Sequence, residues 1–289
     1  MSEATVPRAG IGVWVMAARP RTLSAAISPV LVGTAVAYRA GAARPLAAAL
    51  ALLASLFIQI GTNFANDYSD FKRGADAKRV GPQRVTQSGL VAPRTVKLAA
   101  WIAFGISALF GILLSAMSGW PILAIGAASI ASGWLYTGGP WPLGYHGLGD
   151  LFVFLFFGLV ATCGTVYAEA LHVPAEAWLA GAAVGSIATA ILAVNNLRDR
   201  ETDAHVGKNT LAVKIGARAT RIQYVILVLA PFALAAALGT LWPLLALPAA
   251  VPGLKTVLTR DGAELNQGLG QTARMQILYS VLLAFGLWR

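Results

Sequence analysis

Two short stretches of the sequence carry most of its chemistry. One reads NFANDYSDFKRGAD (residues 63–76) and the other NNLRDRETDAHVGKNT (residues 195–210), and each follows an apolar run directly. Asn63, Asp67, Asp70 and Gly74 in the first are matched by Asn195, Asp199, Asp203 and Gly207 in the second. Steps of three and four residues put each set on one face of a helix, and Asn66, one turn before Asp70, can join the first. Like charges one turn apart repel each other, so four such acids on two facing helices call for a cation. The donors are hard oxygens with no His or Cys among them, which points to Mg²⁺. That ion commonly shares its sites with phosphates. Lys72, Arg73, Lys78, Arg79, Arg84, Arg198 and Lys208 stand beside the acids, and metal and basic side chains together would hold a diphosphate. The matched pattern also suggests a short internal repeat, with both helices ending near Gly74 and Gly207.

The elements that must position these residues are apolar. The chain has 289 residues, 57% hydrophobic and 12% charged, whereas a soluble domain carries about 25% charge. Its mean hydropathy is +0.67. Nine candidate spans are free of charged residues: 23–38, 46–62, 98–117, 121–137, 151–167, 177–194, 222–239, 241–254 and 275–288. The runs are continuous rather than alternating, which selects helices, and lipid admits only helices or closed barrels. The expectation is an all-α polytopic membrane bundle of nine transmembrane helices, one domain over residues 1–289. With the N-terminus in the cytoplasm, nineteen Lys and Arg fall on the cytoplasmic side and only Arg39, Arg44 and Arg289 on the other, as the positive-inside rule requires. Both acid motifs then face the cytoplasm from the cell membrane. The net charge of +10 reflects this topology, and nucleic acid is not needed as a partner.

Several smaller features complete the reading. Residues 10–18 are expected to form an interfacial amphipathic helix. The lone Cys163 lies in an apolar run and reads as a small buried hydrophobe. The segment YTGGPWPLGYHGLGD (residues 136–150) has no Lys or Arg. Its Gly and Pro density suggests an ordered lid, although an interfacial aromatic belt explains its aromatic residues as well. GPQRVTQSGL (residues 81–90) is expected to close over the first motif through Arg84 and Gln87. Arg21 is placed to reach a diphosphate or to snorkel to the interface. His146, His172 and His205 show no ligand spacing.

Taken together, the motifs resemble the UbiA superfamily of intramembrane aromatic prenyltransferases, which have nine helices and Asp-rich motifs after the second and sixth. Within it the resemblance is to the branch that acts on 1,4-dihydroxy-2-naphthoate. It rests on AARPRTL (17–23), NDYSDFKRGAD (66–76), VGPQRVTQSGL (80–90), YTGGPWPLGYHGLGD (136–150), FFG (156–158), NNLRDRETDAHVGKNTLAVKIG (195–216) and QTARMQILYSVLLAFGL (271–287). The resemblance implies Asn63, Asp67, Asp199 and Asp203 as core Mg²⁺–diphosphate ligands, supported by Asp70, Asn66 and Asn195. It makes Asp67, Asp199 and Asp203 the catalytic acids. Arg21, Lys72, Arg79, Arg84, Arg198 and Lys208 would bind diphosphate. Tyr136, Tyr145, Asn66 and Gln87 would meet the aromatic acceptor. Gly74 stands where some relatives keep a third acid, and Asp76 follows two residues later.

Such a site would ionise a polyprenyl diphosphate and shield the allylic cation from water. Two other readings stay open. A transporter would place its acids near the bilayer midplane in broken helices, whereas here they sit at span ends on one side. A related prenyltransferase would use 4-hydroxybenzoate, homogentisate or a porphyrin-type acceptor.

Overall fold

The computed structural model describes residues 10–76 and 80–289. Lys78 and Arg79 lie outside the described residues. Among those described the chain is helical, with no strand. A short helix α1 (Ile11–Ala18) is followed by α2 (Ser24–Arg39), α3 (Pro45–Lys72), α4 (Pro93–Ser118) and α5 (Pro121–Leu135). Then come α6 (Gly149–Ala170), α7 (Ala175–His205), α8 (Leu211–Ala237), α9 (Leu247–Thr259) and α10 (Leu265–Trp288). Each of the nine apolar runs falls on one of α2 to α10. Five helices, α3, α4, α6, α7 and α8, are long and apolar enough to cross a membrane, and α5 is a shorter apolar helix.

Local chemistry sets the helix ends. Proline occupies the first position of α3, α4 and α5, where its missing N–H costs nothing. The Thr210 hydroxyl accepts a hydrogen bond from the Val213 amide and caps α8. Residues 241–254 break into a 3₁₀ turn, Trp242–Ala246, and α9, because Pro243 and Pro248 remove backbone donors.

Of the five long apolar helices α7 lies deepest: 78% of its apolar window is buried, against 22–33% in the other four. Its small residues allow backbone contact, as membrane helices commonly do. A Cβ on Gly158 of α6 would come within 2.6 Å of the Gly185 Cα on α7. At this crossing α6 widens into a π turn, Leu155–Val160. Ile187, Val194, Tyr224, Met275, Tyr279 and Leu283 belong to the main core around α7. A second cluster joins α1, α3 and α4 and takes in Val85 and Val91 from the α3–α4 connection. There α1 packs inward through Ala17 and Trp14, whose ring meets Phe64 edge-on at 5.7 Å.

The acid motifs ride on helices that outrun their apolar segments. Helix α3 continues past Thr62 to Lys72, and α7 past Val194 to His205. Both end in the same closure. Gly74 and Gly207 each have φ +72°, which glycine adopts without strain. The Ala75 amide donates to the Asp70 carbonyl at 2.9 Å and the Lys208 amide to the Asp203 carbonyl at 2.9 Å. This is the Schellman arrangement, made twice by the matched residues.

Candidate active site

A cavity of about 980 Å³ opens among α2 to α7. Its depth is apolar, with Phe152, Phe156, Phe157, Val160 and Ile191 on the walls. Its polar end gathers Arg19, Arg21, Gln59, Asn63, Asn66, Tyr136, Asn195, Arg198 and Asn266. Both motifs therefore meet at one mouth.

The amides face the cavity and the acids stand behind them. Asn63 donates to the Ala18 carbonyl at 2.8 Å and the Thr22 hydroxyl at 3.0 Å, and its own oxygen accepts from Gln59 at 3.3 Å. It fastens the α1–α2 corner to α3. Asn66 accepts from the Thr137 hydroxyl at 2.7 Å. Asp67 is 2% exposed, and its two oxygens accept from the Val85 and Thr86 amides, each at 3.1 Å. Asp70 is 1% exposed. It accepts from Arg84 Nη2 at 3.0 Å and from the Tyr145 hydroxyl at 2.9 Å, and pairs with Lys208 Nζ at 3.7 Å. A buried carboxylate needs such partners because leaving it uncompensated is costly.

The second motif follows the same logic. Arg198 holds both oxygens of Asp199, at 2.8 and 2.5 Å, and reaches Asn195 and Asn266, each at 2.8 Å. Arg198 is a lining residue of the cavity and Asp199 is not, while the Arg198 side chain itself is fully buried against Asp199. Asp203 is buried and meets Lys208 Nζ at 3.6 Å. The Lys208 ammonium thus bridges Asp70 and Asp203 across the two motifs.

The segment between α5 and α6 closes over this junction as an ordered lid. Arg73 donates to the Gly139 carbonyl at 2.6 Å, Lys214 to the His146 carbonyl at 2.6 Å, and the Asn209 amide to the Tyr145 carbonyl at 3.0 Å. Tyr145 is buried, and Arg73 and Lys208 lie 5.2 and 5.4 Å from its ring centroid. Burial, then the Asp70 charge and the hydrogen bond to it, push the Tyr145 phenol well above its usual range. It stays neutral and donates. Tyr136 fits because a Cβ on Gly149 would come 2.6 Å from its hydroxyl.

Some expected residues stand elsewhere. Arg84 is not on the cavity wall: it is buried between Asp70 and Asp76, the nearest anions. Lys72 and Gln87 are exposed and line no part of the cavity, since Lys72 sits at the free end of α3 and Gln87 on the outer side of its turn. Asp67, Asp70, Asp199 and Asp203 lie behind the wall rather than on it. The three histidines make no shared site: His172 and His205 bond backbone carbonyls, and the His146 ring packs against Trp141 at 4.3 Å in a tilted contact. Cys163 is a buried free thiol. Arg19, Gln59 and Asn266 are cavity residues beyond those expected. Gln59 had a signal, being a polar residue one turn before Asn63 within an apolar run. Asn266 had none, because 68 residues separate it from Arg198.

Among the described residues no three His, Cys, Asp or Glu side chains converge on one point. The Lys208 ammonium between Asp70 and Asp203 marks a spot that accepts positive charge.

The model of the UbiA prenyltransferase family matches residues 26–261. A 1,4-dihydroxy-2-naphthoate octaprenyltransferase of Mycobacterium tuberculosis is 41% identical, over 96% of this chain and 97% of its own. One of Escherichia coli is 34% identical over 95% and 94%. A UbiA homolog from Archaeoglobus fulgidus, solved bound to GPP and Mg²⁺, superposes with a TM-score of 0.68 at 16% identity, over 96% of this chain and 99% of that one.

Proposed function

The chain belongs to the UbiA prenyltransferase family, and from that premise we propose that it transfers a polyprenyl group from a polyprenyl diphosphate to 1,4-dihydroxy-2-naphthoate. Diphosphate and carbon dioxide leave, and the product is the demethylmenaquinol of menaquinone biosynthesis. One observation carries the reading: a large apolar cavity whose polar mouth joins residues of both acid motifs. The near full-length likeness to two 1,4-dihydroxy-2-naphthoate octaprenyltransferases supports the acceptor.

The cavity divides the work. Phe152, Phe156 and Phe157 line the part that takes the prenyl tail and keeps water out, so the allylic cation is not hydrolysed. Arg21 and Arg198 are lining residues at the mouth and would hold the diphosphate with fixed charge, Arg198 by turning from its pairing with Asp199. Asp67, Asp70, Asp199 and Asp203, with Asn63 and Asn195, would hold Mg²⁺, which when bound neutralises the leaving diphosphate. The allylic C–O bond breaks with its electron pair going to diphosphate. The electron-rich ring carbon bearing the carboxylate then forms the new C–C bond. Loss of carbon dioxide returns an electron pair to the ring and restores its aromaticity. Tyr136, on the cavity wall, contacts the acceptor, and no protein nucleophile takes part.

In the membrane, α2 to α10 make nine crossings with the N-terminus and the cavity mouth on the cytoplasmic side. The lysine and arginine asymmetry supports this orientation. To test the function, purified protein is given a polyprenyl diphosphate, Mg²⁺ and each of three acceptors. Prenylation of 1,4-dihydroxy-2-naphthoate well above that of 4-hydroxybenzoate and homogentisate is expected. Preference for either of the others would overturn the acceptor, and turnover of none would favour transport.

A further inference from the structure

Three consecutive residues of the α3–α4 connection serve three acids of the first motif. The Val85 and Thr86 amides take the two oxygens of Asp67. Arg84 Nη2 donates to Asp70 at 3.0 Å, while Arg84 Nε forms an ion pair with Asp76 at 3.4 Å. All of this is out of water: Asp76 is 3% exposed and Arg84 6%. The apolar flanks are anchored too, since Val85 is fully buried and Val91 nearly so against α3 and α4.

From this geometry we infer that Asp76 is a positioning residue. It holds the Arg84 guanidinium, which holds Asp70, and the same turn presents the two amides that orient Asp67. The inference rests on the prenyl-transfer reading and deepens it. It gives Arg84 a role other than binding diphosphate, and Asp76 a role other than binding metal. The guanidinium is suited to it, because its planar fork engages two carboxylates along fixed directions. A buried guanidinium that lost one of two carboxylates would be undercompensated. Removing Asp76 therefore disturbs Asp70 and Asp67, although Asp76 lines no part of the cavity.

The test uses the full-length protein with Asp76→Asn, Arg84→Gln, the double variant and Asp76→Glu. Two readouts are taken: steady-state kinetics, and hydrogen exchange at the Val85 and Thr86 amides. Both single variants are expected to lower kcat roughly tenfold, with KM for the polyprenyl diphosphate changed less than about twofold. The double variant should be no worse than either single, because residues acting as one unit are non-additive. Asp76→Glu should recover most of the rate. Exchange at both amides should quicken in both single variants.

Other outcomes overturn the inference. A large rise in KM for the diphosphate in Arg84→Gln, with Asp76→Asn near normal, would make Arg84 a diphosphate ligand. A steeply raised Mg²⁺ requirement confined to Asp76→Asn would make Asp76 a metal ligand. Lower thermal stability with unchanged kcat would reduce the clamp to a structural role. Hydrogen exchange needs no turnover. If the wild-type protein prenylates no acceptor, the functional reading fails while the exchange data still decide the clamp.

Discussion

Tyr145→Phe isolates the link between the lid and the first motif. The substitution removes one oxygen and leaves the ring. In the native protein that hydroxyl donates to Asp70 at 2.9 Å. A hydrogen bond to a charged group is worth about 1.5–3 kcal/mol. Asp70 keeps Arg84 at 3.0 Å and Lys208 at 3.7 Å, so no bare charge is left and the lower end applies. The lid also keeps its contacts through Arg73, Asn209 and Lys214. A loss of about 1.4 kcal/mol is a factor of roughly ten, and kcat should fall by that much in initial-rate assays. The protein should still insert and purify. The ratio of wild-type to variant rate should also be flat between about pH 6 and 9. The Tyr145 phenol is raised by burial and by Asp70, so its contribution is complete below the free tyrosine value of about 10 and is lost only as the pH rises further. An unchanged rate, or a ratio that varies steeply below pH 9, would refute this account of the lid.

Asp67→Asn keeps the side-chain size but removes the charge that the Val85 and Thr86 amides orient. Turnover should drop at least about a hundredfold with normal purification, and activity within a fewfold of wild type would contradict the assignment. Exhaustive chelation should stop turnover, and added Mg²⁺ should restore it, as rates before and after dialysis would show. Gly185→Leu should lower the thermal midpoint and the folded yield, at a cost of at least about 1–3 kcal/mol. A Cβ there would lie 2.8 Å from the Gly158 Cα, a backbone atom with nowhere to go. A midpoint equal to that of wild type would show that the α6–α7 crossing is looser than its geometry.

What was legible in the sequence follows from how strongly each feature is constrained locally. The apolar runs found their helices because lipid sets both length and composition. The helix ends at Gly74 and Gly207 were readable because only glycine takes a positive φ without strain. The two acid motifs were readable from helical spacing, and they do meet at one mouth. Spacing did not reveal which side chain of a motif faces the cavity. Arg198 is a cavity residue and Asp199 is not, and the guanidinium is tied to Asn266 on α10 as well as to its neighbour. Arg84 was expected both to close over the first motif and to bind diphosphate, and it does reach Asp70 of that motif. It turned inward because Asp70 and Asp76 are buried together and need a cation. The start of α8 was missed because Lys214, Arg218 and Arg221 interrupt the apolar pattern ahead of residue 222, and the chain is non-helical at the Gly216 kink.

The most direct test supplies carboxyl-labelled 1,4-dihydroxy-2-naphthoate, a polyprenyl diphosphate and Mg²⁺ to the purified protein and follows two products at once. One released carbon dioxide is expected for each prenylated ring. A prenylated naphthoate that keeps its label, or no prenylated product at all, would contradict it.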